Sequence, residues 1–273
     1  MIIIGERINS TRKPITAALE ARDADHILNE ARQQWDAGAV YLDVNTAMMR
    51  AAEAEVMAWV IELIQGELPD VLVAIDSADP ATVEAGFKVH KGRPLLNSIN
   101  AEKQRMDALI PLIREYHPRV IGLTINDDGI TQDADSRYRI GAELIELLSN
   151  NEIDPQDIFI DPLIFPVSAE LQAGNTSLAI IARLKENYPG VHAVCGLSNI
   201  SFGLPERRLI NQVYMVLAMG RGLDAAIIDP LDRRMMASVI TATTLLGQDK
   251  VCRNYLKAYR RGDFNLDPTA AAR

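Results

Sequence analysis

Residues 194–207 read VCGLSNISFGLPER, and this stretch decides how the rest of the chain is interpreted. The apolar run His192–Cys195 ends at a glycine, which is followed by the small polar residues Ser198 and Asn199. A new helical pattern then begins near Arg207. This order predicts a buried strand that delivers Ser198 and Asn199 to its carboxyl end, where parallel α/β folds place their chemistry.

Seven further short apolar runs show the same order of strand, polar residues and helical pattern. These runs are Met1–Ile4, Val40–Leu42, Val71–Ile75, Pro94–Leu96, Val120–Ile125, Ile158–Ile160 and Ala225–Ile228. They are continuously apolar rather than alternating, as expected for strands buried on both faces. Eight such units without a Pro-, Gly- or Ser-rich linker predict a single (β/α)8 TIM barrel over residues 1–262, with an open doubly wound sheet as the alternative. Residues 263–273 are predicted to form a disordered tail.

The composition excludes several classes of protein. The 273 residues are 48% hydrophobic, which is enough for a large core. No apolar run approaches the roughly 20 residues of a membrane helix, and the opening MIIIGER lacks the features of a signal peptide. The net charge of −9 argues against nucleic acid or an anionic membrane as partners. Two cysteines are too few for a disulfide framework and fit a reducing cytoplasm.

Polar residues, mostly carboxylates and amides, follow every predicted strand. They are Glu6 and Asn9, Asp43 and Asn45, Asp76, Asn97, Asn126, Asp161, Ser198 and Asn199, and Asp229. Any one of them could serve as a helix cap or turn residue, and Asp79 and Asp229, each followed by proline, are interpreted in that way. The set as a whole needs another explanation, because several members occupy the last strand position, where a side chain points over the barrel mouth.

Carboxylate and carboxamide groups of this kind suit a flat heterocycle that presents N–H donors. A carboxylate pairs with a guanidine-like edge through two parallel hydrogen bonds. The four histidines do not cluster, and neither H-E-x-x-H nor C-x-x-C is present, so no metal site is predicted. Residues Gly220–Ala225 match the glycine spacing of a dinucleotide-binding motif. They precede a predicted strand instead of following one, which excludes dinucleotide binding here.

Six motifs occur in an order that is specific for one family. They read GERIN (Gly5–Asn9), LDVN (Leu42–Asn45), IDS (Ile75–Ser77), LNSIN (Leu96–Asn100), IDP (Ile160–Pro162) and GLSNISF (Gly196–Phe202). Together they resemble the pterin-binding barrel family. Within it, residues 1–262 resemble the methyltetrahydrofolate:corrinoid protein methyltransferases and the folate module of cobalamin-dependent methionine synthase.

The resemblance implies roles for the residues at the strand ends. Asp76, Asn97 and Asp161 match residues that hydrogen-bond the edge of the pterin. Asn199 matches a residue near N5, the nitrogen that carries the methyl group. Asn199, Asp161 and Asp76 are therefore the predicted catalytic residues. The residues implied to line the ring are Gly196 and Ser198.

Four further residues are implied at the periphery of the site. Arg207 is expected to hold the folate or to order its own loop. Asn126 is included in the predicted binding site and, like Asn9 and Asp43, is expected at its floor or just behind it.

The resemblance also implies a reaction and its participants. The chain is expected to move a methyl group between N5 of tetrahydrofolate and the cobalt of a corrinoid. The sequence has no D-x-H-x-x-G motif for binding a corrinoid, so cobalamin is expected to arrive on a separate corrinoid-binding protein. The substrate is 5-methyltetrahydrofolate or tetrahydrofolate, and members of this size are usually homodimers. A dihydropteroate-synthase-like enzyme and a non-catalytic folate-binding module remain as alternatives.

Overall fold

The computed structural model describes residues 1–265 and consists of parallel strands that alternate with helices. The strands are β1 (Ile2–Asn9), β2 (Tyr41–Asn45), β3 (Leu72–Asp76), β4 (Leu95–Ala101), β5 (Arg119–Asn126), β6 (Ile158–Asp161), β7 (His192–Ala193) and β8 (Ala225–Ile228). The helices are α1 (Lys13–Ala21), α2 (Ala24–Asp36), α3 (Glu53–Glu67), α4 (Pro80–Val89), α5 (Lys103–Tyr116), α6 (Ala134–Asn150), α7 (Ala173–Asn187), α8 (Arg207–Met219), α9 (Arg233–Leu245) and α10 (Arg253–Arg261).

The sheet closes on itself. Its strand order is β7-β6-β5-β4-β3-β2-β1-β8, and every named pair is parallel. Its two ends meet through a parallel bridge between Gly196 and Ile227, and the Ile227 N–H donates to the Cys195 carbonyl at 2.9 Å. The predicted single (β/α)8 barrel is confirmed, and the open sheet is excluded.

The apolar side chains form two layers. The larger layer lies between the strands and the surrounding helices. The smaller one fills the barrel interior with residues from all eight strand units: Ile4, Tyr41, Ala74, Leu95, Ile121, Phe159, Val194 and Ala225. Because side chains alternate along a strand, the residue two positions further along also faces inward, at the mouth. The interior layer therefore fixes which polar residues meet there.

The opposite end of the barrel is closed by ion pairs. The buried carboxylate of Asp157 accepts from Arg93 at 2.6 Å and from Arg119 at 2.9 Å. Asp224 accepts from Lys185 and from His192, at 2.9 Å each. These contacts belong to the end of a barrel that contributes stability rather than chemistry.

Several element boundaries differ from the predicted ones. Strand β1 continues past the predicted run to Asn9, and β7 is only two residues long, although the chain stays paired with its neighbours as far as Gly196. Helices α1 and α10 were not predicted. The predicted helix start at Asp79 is confirmed, since its carboxylate accepts from the N–H groups of Ala81 and Thr82. Most of the predicted disordered tail, residues 266–273, lies outside the described part of the chain.

Candidate active site

The mouth of the barrel carries a layer of mostly polar side chains. These residues lie two positions beyond the interior residue of each strand unit, and they are Glu6, Asp43, Asp76, Asn97, Leu123, Asp161, Gly196 and Ile227. In the last unit the inward position is apolar, and the carboxylate of Asp229 follows directly after β8. The inward positions and Asp229 therefore bring carboxylate or amide groups from six of the eight units to the mouth, whereas the sequence predicts such a group from every unit.

Asp76 lies at the centre of this layer. It pairs in register with Asn45 on β2 and with Asn97 on β4. The Asn45 amide donates to Asp76 Oδ2 at 3.0 Å, and Asn45 Oδ1 accepts from the hydroxyl of Ser10 at 2.8 Å. Asn45 thus holds one oxygen of Asp76, and within residues 1–265 no group donates to the other.

Asn97 is oriented by a second carboxylate. Its amide nitrogen donates to Asp43 Oδ1 at 2.9 Å, which leaves the amide oxygen of Asn97 as an acceptor. Strands β4 and β5 lose register between Asn97 and Ile99, and such bulges re-aim side chains at functional sites. Both Asp76 and Asn97 line a cavity of about 430 Å³ at this side of the mouth.

Asp161 ends β6 and is buried, with 8% of its surface exposed. The Leu163 N–H donates to its Oδ1 at 2.7 Å. Burial raises the pKa of Asp161 to about 6, against the lowering effects of the Leu163 and Gly196 N–H groups and of Arg137. The carboxyl group is therefore ionised at neutral pH and protonated in mild acid.

The other carboxyl groups of the mouth also retain protons more strongly than in water. Burial, together with the charge of Asp76, holds the pKa of Asp43 well above its usual value. Burial and the charge of Glu53 raise the pKa of Asp76. Burial and the charge of Asp229 raise the pKa of Glu6 to about 7. A ligand that donates hydrogen bonds to these groups would favour their ionised form and so lower these pKa values.

The stretch after β7 forms a short 3₁₀ helix over Leu197–Ser201. Ser198 is half-buried, whereas Asn199 is exposed and its side chain makes no hydrogen bond within the described residues. A Cβ atom added at Gly196 would lie 3.9 Å from Asn199 Nδ2, so the Asn199 amide lies near this part of the backbone. Arg207 donates to the Ser198 carbonyl at 2.8 Å and therefore orders the loop.

Three of the predicted peripheral residues form hydrogen bonds of two kinds. Asn126 Oδ1 accepts from the Asp128 N–H at 3.1 Å, and Asn9 Oδ1 accepts from the Thr11 N–H at 3.0 Å, so both shape their own turns. Asp43 instead lies behind Asn97, as described above. The place of Asn126 in the binding site, and that of Asn9 and Asp43 at its floor or just behind it, remain predictions.

Two arginines near the mouth were not predicted from the sequence as part of the site. Arg105, on α5, donates to the carbonyls of Ser77 and Ser98, at 2.8 and 2.7 Å. Arg137, on α6, donates to the Pro162 carbonyl at 2.9 Å. Both lie inside helices, and nothing in their local sequence distinguishes them from surface arginines.

Two kinds of feature are absent from the described part of the chain. No group of three or more His, Cys, Asp or Glu side chains in residues 1–265 could hold a metal ion. Among the described helices, none is long and apolar enough to cross a membrane.

Several known proteins are similar to this chain in sequence. A family described as "Pterin binding enzyme" matches residues 5–229. The methylcorrinoid:tetrahydrofolate methyltransferase of Eubacterium limosum is 36% identical over 264 residues, covering 96% of this chain and 97% of that protein. The methionine synthase of Mycobacterium tuberculosis is 30% identical over 242 residues, which cover 84% of this chain but 20% of that protein.

Solved structures share the fold at lower identity. The dihydropteroate synthase of Xanthomonas albilineans in complex with 7,8-dihydropteroate is 20% identical, with a TM-score of 0.67 over 90% of this chain and 92% of that one. The Yersinia pestis dihydropteroate synthase is 16% identical, with a TM-score of 0.64 over 89% of this chain and 92% of that one. The family match and the full-length relative together establish that the chain belongs to the pterin-binding enzyme family.

Proposed function

We propose that the chain is a methyltetrahydrofolate:corrinoid protein methyltransferase. It moves a methyl group between N5 of tetrahydrofolate and the cobalt of a corrinoid, a cobalamin carried by a separate corrinoid-binding protein. The observation that carries this proposal is the convergence of Asp76, Asn97 and Asp161 at one barrel mouth, next to the exposed amide of Asn199. The Eubacterium limosum relative, which the chain matches over nearly its full length, supports the same reaction.

The pterin ring is held by acceptor atoms. Asp161 is ionised at neutral pH and pairs with the guanidine-like edge of the pterin, where an N–H lies beside an amino group. Asp76 and the amide oxygen of Asn97 accept from further ring N–H groups. Gly196 and Ser198 line the ring, and Arg207 keeps their loop in place.

Methyl transfer from the folate breaks the bond between the methyl carbon and N5. The bonding electron pair stays on N5, which takes up a proton from water, and the methyl group bonds to the cobalt through the electron pair of the reduced Co(I) centre. The amide of Asn199 cannot give up a proton, so its role is to hydrogen-bond N5, directly or through a water, as charge develops there. Removing one hydrogen-bond donor that is positioned for the developing charge typically lowers the rate by about 10²–10³-fold.

The corrinoid protein docks over the open mouth, because the cobalt has to reach N5. Three large apolar side chains are exposed on loops around this opening: Met48 after β2, Ile130 after β5 and Phe202 after β7. Exposed apolar groups that surround a polar site are typical of a protein–protein contact.

The dihydropteroate-synthase-like alternative is less well supported. A dihydropteroate-synthase-like reaction needs basic residues for pyrophosphate near the last strands. Here β7 leads to the neutral residues Ser198 and Asn199, and the nearby Arg207 is engaged by the Ser198 carbonyl and the Ser201 hydroxyl. The likeness to dihydropteroate synthase structures extends to the fold alone.

We also propose that the chain is a cytoplasmic homodimer. Both cysteines, Cys195 and Cys252, are free, which fits a reducing compartment. Helices α7 and α8 present an uncharged apolar face that includes Leu209, Val213 and Leu217, which are between 53% and 61% exposed. Two copies that meet through this face would bury it without placing charged side chains against one another.

Titration with 5-methyltetrahydrofolate, followed by addition of reduced cobalamin, tests the proposal. Saturable folate binding followed by a change in cobalt absorbance is the expected result. Binding without a spectral change would support the non-catalytic module instead, and the absence of folate binding would exclude both. A parallel assay for dihydropteroate formation is expected to show no product.

A further inference from the structure

Arg137 is a buried cation without a carboxylate partner. It is 1% exposed, and within residues 1–265 it makes no ion pair. Its Nε atom is buried and has no hydrogen-bond partner among the described residues. A charged side chain is rarely buried unless it is paired, so the position of Arg137 needs an explanation.

The guanidinium of Arg137 holds the segment that follows Asp161. Its Nη1 donates to the carbonyls of Pro162 and Leu163, at 2.9 and 2.5 Å. It also lies 5.0 Å from the ring centroid of Phe165, at a distance typical of a cation–π contact. Helix α6 therefore fixes the backbone immediately after β6.

The same segment holds the carboxyl group of Asp161. Leu163 has a φ of 58°, an uncommon conformation for leucine, and in it the Leu163 N–H reaches Asp161 Oδ1 at 2.7 Å. One residue thus accepts from Arg137 through its carbonyl and donates to Asp161 through its N–H. The contacts form a continuous connection from α6 to the barrel mouth.

We propose that Arg137 is a positioning residue of the folate site, which acts through Leu163 to hold the Asp161 carboxylate in the orientation that pairs with the pterin. This inference rests on the proposed function, because it assigns a pterin contact to Asp161.

The electrostatic surroundings of Asp161 support the same role. The titratable groups that face it are Arg137 from α6, Cys195 just after β7 and Tyr214 from α8. Burial raises the pKa of the Cys195 thiol and of the Tyr214 hydroxyl, so both are neutral at pH 7. Arg137 is the charged member of the three, and its charge lowers the pKa of Asp161.

The test is the pH dependence of 5-methyltetrahydrofolate binding, measured from pH 5 to pH 9. In the parent protein, affinity is expected to fall as the pH drops through about 6, where Asp161 takes up a proton. In Arg137→Met, loss of the charge moves this midpoint up by about one pH unit. Binding is then weaker than that of the parent at every pH, because the Asp161 carboxylate is no longer held in its orientation, and the loss is about fivefold larger at pH 6 than at pH 9.

Further variants keep the test decisive. Arg137→Lys retains the charge and is expected to keep the parent midpoint. Arg137→Gln retains donors without the charge, and it takes the place of Arg137→Met if the latter does not fold. Arg114→Met removes an arginine of α5 that contacts Asn151 away from the mouth, and it is expected to bind folate like the parent.

A purely structural role for Arg137 predicts a different result. Binding would then weaken equally at every pH without a change in the midpoint, which would overturn the inference. Asp161→Asn separates this failure from that of the proposed function. If Asp161→Asn binds folate as tightly as the parent, the pterin contact itself is wrong. If it binds weakly while Arg137→Met keeps the parent midpoint, only the positioning role is wrong.

Discussion

Asn199 is the residue at which a change should separate catalysis from binding. Its amide is exposed near the end of β7 and has no protein partner within residues 1–265. Asn199→Ala is expected to lower the methyl-transfer rate at saturating folate by about 10²-fold or more, because N5 loses its hydrogen bond. The folate dissociation constant should change by about threefold or less.

Rapid mixing of folate-saturated protein with reduced cobalamin measures this rate. Asn187→Ala, which changes an exposed asparagine on α7, is the matched control and should keep the parent rate. Weaker folate binding with an unchanged rate at saturation would contradict the assignment of Asn199.

Glu6 predicts a pH-dependent effect on stability. Its pKa is raised from 4.5 to about 7 in the folded chain. Such a group stabilises the fold below pH 4.5, and this contribution is lost as the pH rises through 7. Glu6→Gln is therefore expected to have a free energy of unfolding at pH 8 that is higher than that of the parent by up to about 3 kcal/mol. The difference should be smaller at pH 5.

Urea unfolding at the two pH values tests this expectation. Glu20→Gln, at an exposed position on α1, controls for the change of residue type. An equal effect of Glu6→Gln at pH 5 and pH 8 would show that Glu6 does not titrate in this range.

The sequence predicts the site better at the strand ends than on the helices. Asp76, Asn97 and Asp161 were found because each one ends or nearly ends an apolar run. Arg105 and Arg137 were not found, because an arginine within a helical pattern looks the same whether it faces solvent or a barrel loop. Which carbonyls these arginines contact depends on tertiary packing, which local sequence does not specify.

At the scale of the elements, the packing of helices on strands can be tested with two glycines. A Cβ atom added at Gly86 on α4 would lie 2.7 Å from Cδ1 of Ile75 on β3. Gly86→Ala is therefore expected to destabilise the fold by about 1–3 kcal/mol. At Gly66 on α3 an added Cβ meets nothing within 4 Å, so Gly66→Ala should stabilise it by about 0.5 kcal/mol.

Urea unfolding of the two variants gives the comparison directly. Opposite signs are expected for the two substitutions. A stabilising effect of Gly86→Ala would mean that α4 does not pack against β3 as described.

The strand order was predictable because each buried strand is a short apolar run between helical patterns.

The additional helices α1 and α10 were not predicted, for different reasons. Helix α1 lies inside the loop that follows β1, where Pro14 and neighbouring polar residues are typical of a connection. Helix α10 carries few apolar residues, and Ala258 is its one buried side chain.

At the scale of the whole molecule, we expect the uncharged apolar face on α7 and α8 to form the interface of the proposed dimer. Val213→Glu places a charge at the centre of this face and is expected to convert a dimer into monomers, because a charge is costly to bury without a partner. Light scattering after size-exclusion chromatography measures the change. Val251→Glu, at an exposed position away from this face, is the control. A monomeric parent protein would contradict the proposed dimer.

The whole barrel brings polar groups from different strands to one opening, where we propose that the methyl group leaves N5. The most direct test follows a labelled methyl group in a single turnover. The protein is mixed with 5-methyltetrahydrofolate that carries a trideuterated methyl group, then with reduced cobalamin, and the products are analysed by mass spectrometry. We expect the label to move to the cobalt and tetrahydrofolate to form in equal amount. Label that remains on the folate while the cobalamin stays reduced would contradict the proposed methyl transfer.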